Sequence, residues 1–168
     1  MFQKVARWFL NLFKVSEKMN EIVDPKNIPP WLAIAEKEIG VTEVDGDGNN
    51  NRIIEYHSAT ELKATEDSVP WCSAFVCWCL LRAGQKSTYD AWARSYLSYG
   101  EKLEKPIPGC VVVFSRGQES GHVGFFIKED ALWTWVLGGN QNDEVCIAKY
   151  AKWRVLAYRW PKGFPKNG

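Results

Sequence analysis

Cys72 and His122 are the two residues whose types and placement could together provide a nucleophile and its base. Cys72 opens the apolar run CSAFVCWCLLRAG, and the N–H groups in the first turn of a helix favour the thiolate, the reactive form of cysteine. The chain has two histidines, and His122 begins the predicted strand HVGFFI directly after the turn SRGQESG. An imidazole on a strand facing a helix N-terminus can deprotonate such a thiol. The pair therefore predicts thiol hydrolase chemistry.

A third side chain is needed to hold the far nitrogen of the imidazole and so fix its tautomer. An amide oxygen suits this purpose, and Asn140 in LGGNQND follows the predicted strand LWTWVL. Gln141, Asn142 and Asp143 are near alternatives in the same turn, which turn chemistry alone could also explain. Trp71, directly before the thiol, could form a groove wall, with core packing as the alternative.

The other four cysteines are interpreted as buried, inert thiols. Cys77 and Cys79 lie deeper in the predicted helix, whereas Cys110 and Cys146 head or interrupt predicted strands. Because five cysteines cannot all pair within one chain, at least one thiol stays free. Their apolar surroundings favour reduced cysteine and hence synthesis in a reducing cytoplasm.

Helical patterns come first along the chain and strand patterns follow. A short helix is predicted over 31–39, ended by Gly40, and a second over 52–60. The run from Cys72 to Gly84 is apolar nearly all round, which is typical of a helix buried on every side. Strands are predicted in CVVVF, HVGFFI, LWTWVL, EVCIAKY and WRVLAYRW. This segregation predicts an α+β domain, with an antiparallel sheet packed against the buried helix.

Residues 1–29 are predicted to stand apart from a catalytic domain at 30–168. Over 1–20 the apolar and basic residues fall on opposite faces of an amphipathic helix. This helix is either a membrane-surface element or an arm packed on the domain. The prolines of VDPKNIPP deny the chain a continuous helix, so this stretch is interpreted as a linker.

Length, net charge and the absence of long apolar stretches exclude several classes of protein. A chain of 168 residues fits a single domain, and its net charge of +1 lacks the basic excess of a nucleic-acid-binding protein. We therefore expect no nucleic acid partner. No stretch reaches the roughly 18 apolar residues of a membrane span, and no small-residue cleavage site follows an apolar stretch. Export by a standard signal peptide is not expected.

One stretch of the sequence resembles a metal-binding loop. Asp45, Asp47, Asn49 and Asn51 alternate as the ligands of a calcium loop do. The glycine and the bidentate glutamate of an EF-hand loop are missing from their positions, which argues against calcium here. We expect no catalytic metal and no cofactor.

Several motifs, in this order and spacing, resemble the CHAP-type superfamily of cysteine, histidine-dependent amidohydrolases and peptidases, close to its NlpC-like relatives. They are PWCSAFVCWCL, PGCVVVFSRG, GHVGFFI, VLGGNQNDEVCIAKY and YRWP, within residues 31–161. The resemblance implies a papain-like α+β fold, with N-terminal helices packed on a C-terminal antiparallel sheet. It also implies that Cys72 is the nucleophile, His122 the base and Asn140 the orienting residue. Tyr56 is similar to an upstream tyrosine that lines the oxyanion side in NlpC-like relatives, with a packed core phenol as the alternative.

The function implied by the resemblance is hydrolysis of an amide in bacterial peptidoglycan. The bond is either inside the stem peptide or the one joining glycan to alanine. We expect a monomer made in a bacterial cytoplasm that acts in the periplasm or cell wall. A phage endolysin is the leading interpretation. The alternatives are an interbacterial toxin of the same chemistry and a noncatalytic wall-binding module.

Overall fold

The computed structural model describes residues 28–166, in which three α-helices precede a six-stranded antiparallel sheet. The helices are α1 (Pro30–Lys37), α2 (Asn51–His57) and α3 (Cys72–Arg82). The strands are β1 (Glu101–Leu103), β2 (Val111–Ser115), β3 (Gly121–Glu129), β4 (Trp133–Gly138), β5 (Cys146–Ala151) and β6 (Val155–Trp160). Two short 3-10 helices, Ala93–Ser98 and Lys152–Arg154, connect them. The predicted α+β class, with helices first and strands later, is confirmed.

The three helices begin in different ways, and the start of α3 is the one that matters for the site. Pro30 opens α1, where its missing N–H costs nothing, and the Asn50 side chain caps α2 by accepting the Arg52 N–H. Trp71 precedes α3 without any side-chain cap, and the first helical hydrogen bond runs from the Phe75 N–H to the Trp71 carbonyl at 2.9 Å. The N–H groups of the first turn are therefore left for other acceptors.

The sheet has the strand order β1-β6-β2-β3-β4-β5, so β3 lies in its interior between β2 and β4. All neighbouring strands pair antiparallel. Helix α3 packs on β3, where the rings of Phe75 and Phe125 lie 6.5 Å apart. Nine residues of α3 are buried, as expected for a helix enclosed on every side. The core thus fixes the start of α3 beside the start of β3.

The boundaries of the elements differ from the predictions in small ways. Helix α1 ends at Lys37 rather than 39, and α2 ends at His57 rather than Thr60. The strand β1, which pairs with the outer edge of β6, was not predicted. Its short polar sequence EKL carries no alternation of apolar residues, so only its pairing with β6 makes it a strand.

The predicted amphipathic helix over 1–20 and most of the linker lie outside the described residues. Within 28–166, none of the helices has both the length and the apolar character that crossing a bilayer requires.

Substitution of Gly124 tests how closely β3 and β4 pack. A Cβ at this position would lie 2.4 Å from Cγ1 of Val136 and 3.0 Å from the Leu137 carbonyl oxygen. Because overpacking a core costs about 1–3 kcal/mol, Gly124→Ala should lower the free energy of unfolding by that amount in urea denaturation.

Gly48→Ala is the matched control, since a Cβ there meets only the exposed Val44 side chain, with Cγ1 at 3.1 Å and Cβ at 3.9 Å. It should unfold at nearly the wild-type urea midpoint. An unchanged midpoint for Gly124→Ala would show that this contact does not constrain the sheet.

Candidate active site

The Cys72 thiol lies between the start of α3 and the start of β3. It is the first residue of the helix and its side chain is buried. The backbone N–H groups of Cys72, Ser73 and Val123 all face the sulfur. The sulfur therefore touches β3 one residue away from His122, and the predicted placement of the thiol in the first helical turn is confirmed.

His122 is fully buried on β3, where it pairs with Phe114 of β2. Its Nε2 lies 3.0 Å from Oε1 of Gln141. Its Nδ1 has no hydrogen-bond partner among the described residues. Gln141 thus holds Nε2 of the His122 ring, while Nδ1 is unpaired. The strand that carries this ring contacts the thiol.

The Gln141 amide determines which nitrogen of His122 carries the proton. Its Nε2 donates to the backbone carbonyls of Cys146 at 2.6 Å and Gly138 at 3.2 Å, so its NH₂ group must face these oxygens. Oε1 then faces the imidazole and accepts a hydrogen bond from it. His122 is therefore the Nε2–H tautomer, and its Nδ1 is an acceptor.

Asn140, predicted as the orienting residue, does not contact His122. Its Nδ2 donates to Oε1 of Glu43 at 3.2 Å. The assignment is corrected to Gln141, one of the alternatives in the same turn. The reason is the backbone, because Asn140 has a left-handed conformation with φ of 54° just after β4 ends. This turn directs the Asn140 side chain toward Glu43 and places the Gln141 side chain beside the imidazole of His122.

Trp71, predicted as a groove wall, belongs to the core instead. Its side chain is fully buried and its Nε1 donates to Oε1 of Glu43 at 2.8 Å. Its ring packs so closely on Gly139 that a Cβ there would lie 2.4 Å from a ring carbon. Through Glu43, Trp71 ties the start of α3 to the turn that carries Gln141.

Tyr56, predicted on the oxyanion side, is also a core residue. It is fully buried, and its hydroxyl donates to Oε2 of Glu38 at 2.5 Å. The same carboxylate accepts from Nε of Arg52 at 2.8 Å. The phenol is committed to this buried network and packs its ring on Trp71 and Phe75. The oxyanion assignment is therefore corrected to the packed phenol that was its alternative.

Burial keeps the thiol and the imidazole neutral at rest. Desolvation raises the pKa of the Cys72 thiol and outweighs the Val123 N–H and the Arg116 charge, which lower it. Desolvation also lowers the pKa of the His122 imidazole to about 3, and the Arg116 charge lowers it further, against the Gln141 hydrogen bond. The N–H groups at the helix start do lower the thiol pKa, as expected, but burial outweighs them and the net shift is upward.

Tyr150 and Arg116 belong to the site and were missed in the sequence. The Tyr150 hydroxyl donates to Oε1 of Gln141 at 3.0 Å, and its ring centroid lies 5.0 Å from that of His122. Arg116 acts electrostatically on the thiol, the imidazole and this phenol. The alternation in EVCIAKY predicted a strand, but its register against β4 cannot be read from a single sequence.

The described residues offer no cluster of three or more His, Cys, Asp or Glu side chains that could hold a metal ion. The calcium-like loop at 45–51 contacts Asp67, whose buried carboxylate accepts the N–H groups of Val44 and Asn50 at 2.9 and 2.8 Å. Oδ1 of Asn49 accepts the Asp67 N–H at 2.9 Å. These polar groups hold the loop to the domain.

The five cysteines are all free thiols. Four are buried, and Cys146 is partly buried beside the Gln141 amide. The Cys77 sulfur accepts hydrogen bonds from the hydroxyls of Ser87 at 3.0 Å and Tyr96 at 3.1 Å. Of these thiols, only Cys72 combines a helix N-terminus with contact to the histidine strand.

Comparison with known proteins gives one family match. No curated protein matches the chain. Residues 64–142 match the family model of the CHAP domain, a stretch that contains Cys72, His122 and Gln141. CHAP domains are generally hydrolytic amidases or peptidases. This match to residues 64–142 is consistent with a domain of the CHAP-type superfamily.

Proposed function

We propose that this protein hydrolyses an amide bond of bacterial peptidoglycan, with Cys72 as nucleophile, His122 as base and Gln141 as orienting residue. The observation that carries the proposal is the unpaired, buried Nδ1 of His122 on the strand whose next N–H faces the Cys72 sulfur. A base needs an acceptor nitrogen near the proton that it removes. The Gln141 amide keeps Nδ1 in that form.

The first half of the reaction forms a thioester. As the sulfur attacks the amide carbonyl, Nδ1 of His122 takes the thiol proton, and the carbonyl oxygen becomes an oxyanion. N–H groups at the uncapped start of α3 are suited to stabilise this charge. The intermediate then expels the amine, which takes the proton from Nδ1, and the acyl group stays on sulfur.

The second half returns the enzyme to its starting state. Nδ1 of His122 removes a proton from water as the water oxygen attacks the thioester carbonyl. The tetrahedral intermediate collapses, the carbon–sulfur bond breaks, and the proton on Nδ1 passes to the sulfur. The products are an amine and a carboxylic acid. Because both groups start neutral, the proton moves from sulfur to nitrogen during the attack, without a preformed ion pair.

The same proposal includes where the protein is made and where it acts. The protein is a phage endolysin, made in a bacterial cytoplasm, that acts as a monomer on the cell wall after release. Its bond is either the glycan-to-alanine amide or an amide within the stem peptide. The basic amphipathic pattern of residues 1–20 supports contact with an anionic membrane surface on the way to the wall.

Cys72→Ala tests the nucleophile. Purified sacculi incubated with wild-type protein under reducing conditions should release muropeptides detectable by mass spectrometry, and the variant should release none. The new end groups identify the bond that is cut. Cys79→Ala, which removes a fully buried thiol from the same helix, should retain activity. Intact sacculi after treatment with the wild type would favour the noncatalytic wall-binding alternative.

Gln141→Ala tests the orienting role against that of its neighbour. Loss of the amide frees the imidazole to change tautomer, so kcat should fall roughly 100-fold, within the usual range for general acid–base catalysis. The measurement is the initial rate on soluble muropeptides.

Asn140→Gly is the matched control, since glycine tolerates the left-handed backbone at this position. It should keep kcat near the wild-type value. A greater loss in Asn140→Gly than in Gln141→Ala would return the orienting role to Asn140.

A further inference from the structure

We propose that Tyr150 is a positioning residue of this site, which holds Gln141 and the His122 ring so that Nδ1 stays free for the thiol. Its effect on turnover rests on the proposed function. Its effect on the imidazole does not, and can be measured without substrate.

The Tyr150 hydroxyl completes the hydrogen bonds of the Gln141 amide. An amide oxygen accepts two hydrogen bonds and an NH₂ group donates two. The Gln141 oxygen accepts from Nε2 of His122 at 3.0 Å and from the Tyr150 hydroxyl at 3.0 Å, while its NH₂ donates to two backbone carbonyls. With every position used, rotation of this buried amide breaks several hydrogen bonds together.

The phenol remains a donor throughout the neutral range. Burial raises the pKa of Tyr150, although Arg116 lowers it in part. The proton that the hydroxyl gives to Gln141 is therefore kept at any pH where the enzyme would work.

The Tyr150 ring covers the imidazole. The two centroids lie 5.0 Å apart with the planes tilted by 30°, and Phe114 packs against Tyr150 at 4.7 Å. His122 is fully buried whereas Tyr150 is partly exposed. The phenol thus packs over the imidazole at the edge of its buried site, and it limits both rotation of the ring and entry of water.

Strand β5 brings Tyr150 and a second Gln141 contact together. Tyr150 pairs with Thr134 of β4, and Cys146 at the start of β5 pairs with Gly138 at the end of β4. The Cys146 carbonyl accepts from the Gln141 NH₂, while the Tyr150 hydroxyl donates to the Gln141 oxygen. One strand therefore holds the amide at both ends.

The charged groups around His122 define what loss of Tyr150 should do. Arg116 after β2 and Arg154 before β6 both lower the imidazole pKa, and burial lowers it most. The Cys72 thiol approaches from α3, and the Tyr150 phenol from β5. Removing the phenol admits water, weakens the burial effect, and should let the imidazole accept a proton at higher pH.

The test uses nitrogen-15 NMR of the histidine rings in the full chain, without substrate. With two histidines in the sequence, His57→Gln assigns both sets of signals. Wild-type His122 should show the Nε2–H tautomer and stay neutral well below pH 6.5. In Tyr150→Phe the second tautomer should appear, and in Tyr150→Leu the pKa of His122 should rise by about one unit or more.

Tyr158→Phe is the matched control, because it removes a hydroxyl of the same sheet that bonds instead to Oε2 of Glu129 at 2.9 Å. It should leave the His122 signals unchanged. If Tyr150→Phe and Tyr150→Leu also leave the tautomer and pKa unchanged, the positioning role is overturned, whatever their activity.

Kinetics on soluble muropeptides separate this role from the proposed function. Tyr150→Leu should lower kcat roughly 10- to 100-fold, because a small misplacement of a catalytic group has effects of that size, with KM within about twofold. Altered His122 signals in a protein whose wild type shows no turnover would overturn the proposed function and support the positioning role. Normal kcat in Tyr150→Leu would overturn a role in turnover.

Discussion

The orientation of one buried amide fixes the tautomer of the histidine in the candidate site. The backbone carbonyls of Gly138 and Cys146 attract the NH₂ group of Gln141, so its oxygen faces His122 and accepts the proton on Nε2. The other nitrogen, Nδ1, is then an acceptor on the strand that contacts the Cys72 sulfur. A different fold of the turn after β4 would reverse this tautomer and remove the acceptor nitrogen that the proposed base needs.

Burial gives the site its second constraint. A helix N-terminus favours a thiolate, but here desolvation dominates and raises the pKa of Cys72 while it lowers that of His122. In the resting pair, Cys72 is therefore a protonated thiol, and His122 is a neutral imidazole whose Nδ1 can accept a proton. In the proposed reaction, this arrangement couples the ionisation of sulfur to attack on a carbonyl.

The sequence was sufficient for most of the elements and for the placement of Cys72 and His122, but not for the residues around them. Apolar patterning located α3 and the strands, and the placement of Cys72 and His122 followed from the ends of those elements. Which polar residue of LGGNQND contacts His122 depends on the left-handed backbone at Asn140, and a sequence pattern does not reveal this conformation.

The sequence also did not determine which aromatic side chains contact the site. Tyr56 and Trp71 are close to the site in sequence, yet their polar atoms are committed to Glu38 and Glu43. Tyr150 contacts the site although it lies far from Cys72 in the sequence, because the pairing of β4 with β5 places it beside Gln141. Such contacts depend on strand register and on hydrogen bonds between distant residues, which one sequence does not determine.

The most direct test of the account is whether His122 activates the sulfur of Cys72. The rate of alkylation of Cys72 by iodoacetamide at neutral pH can be followed by peptide mass spectrometry in the wild type and in His122→Gln, with the other four cysteines as internal references. If His122 activates the sulfur, His122→Gln should slow alkylation at Cys72 by roughly tenfold or more and leave the alkylation of the other thiols unchanged. Equal alkylation of Cys72 in the two proteins would contradict it.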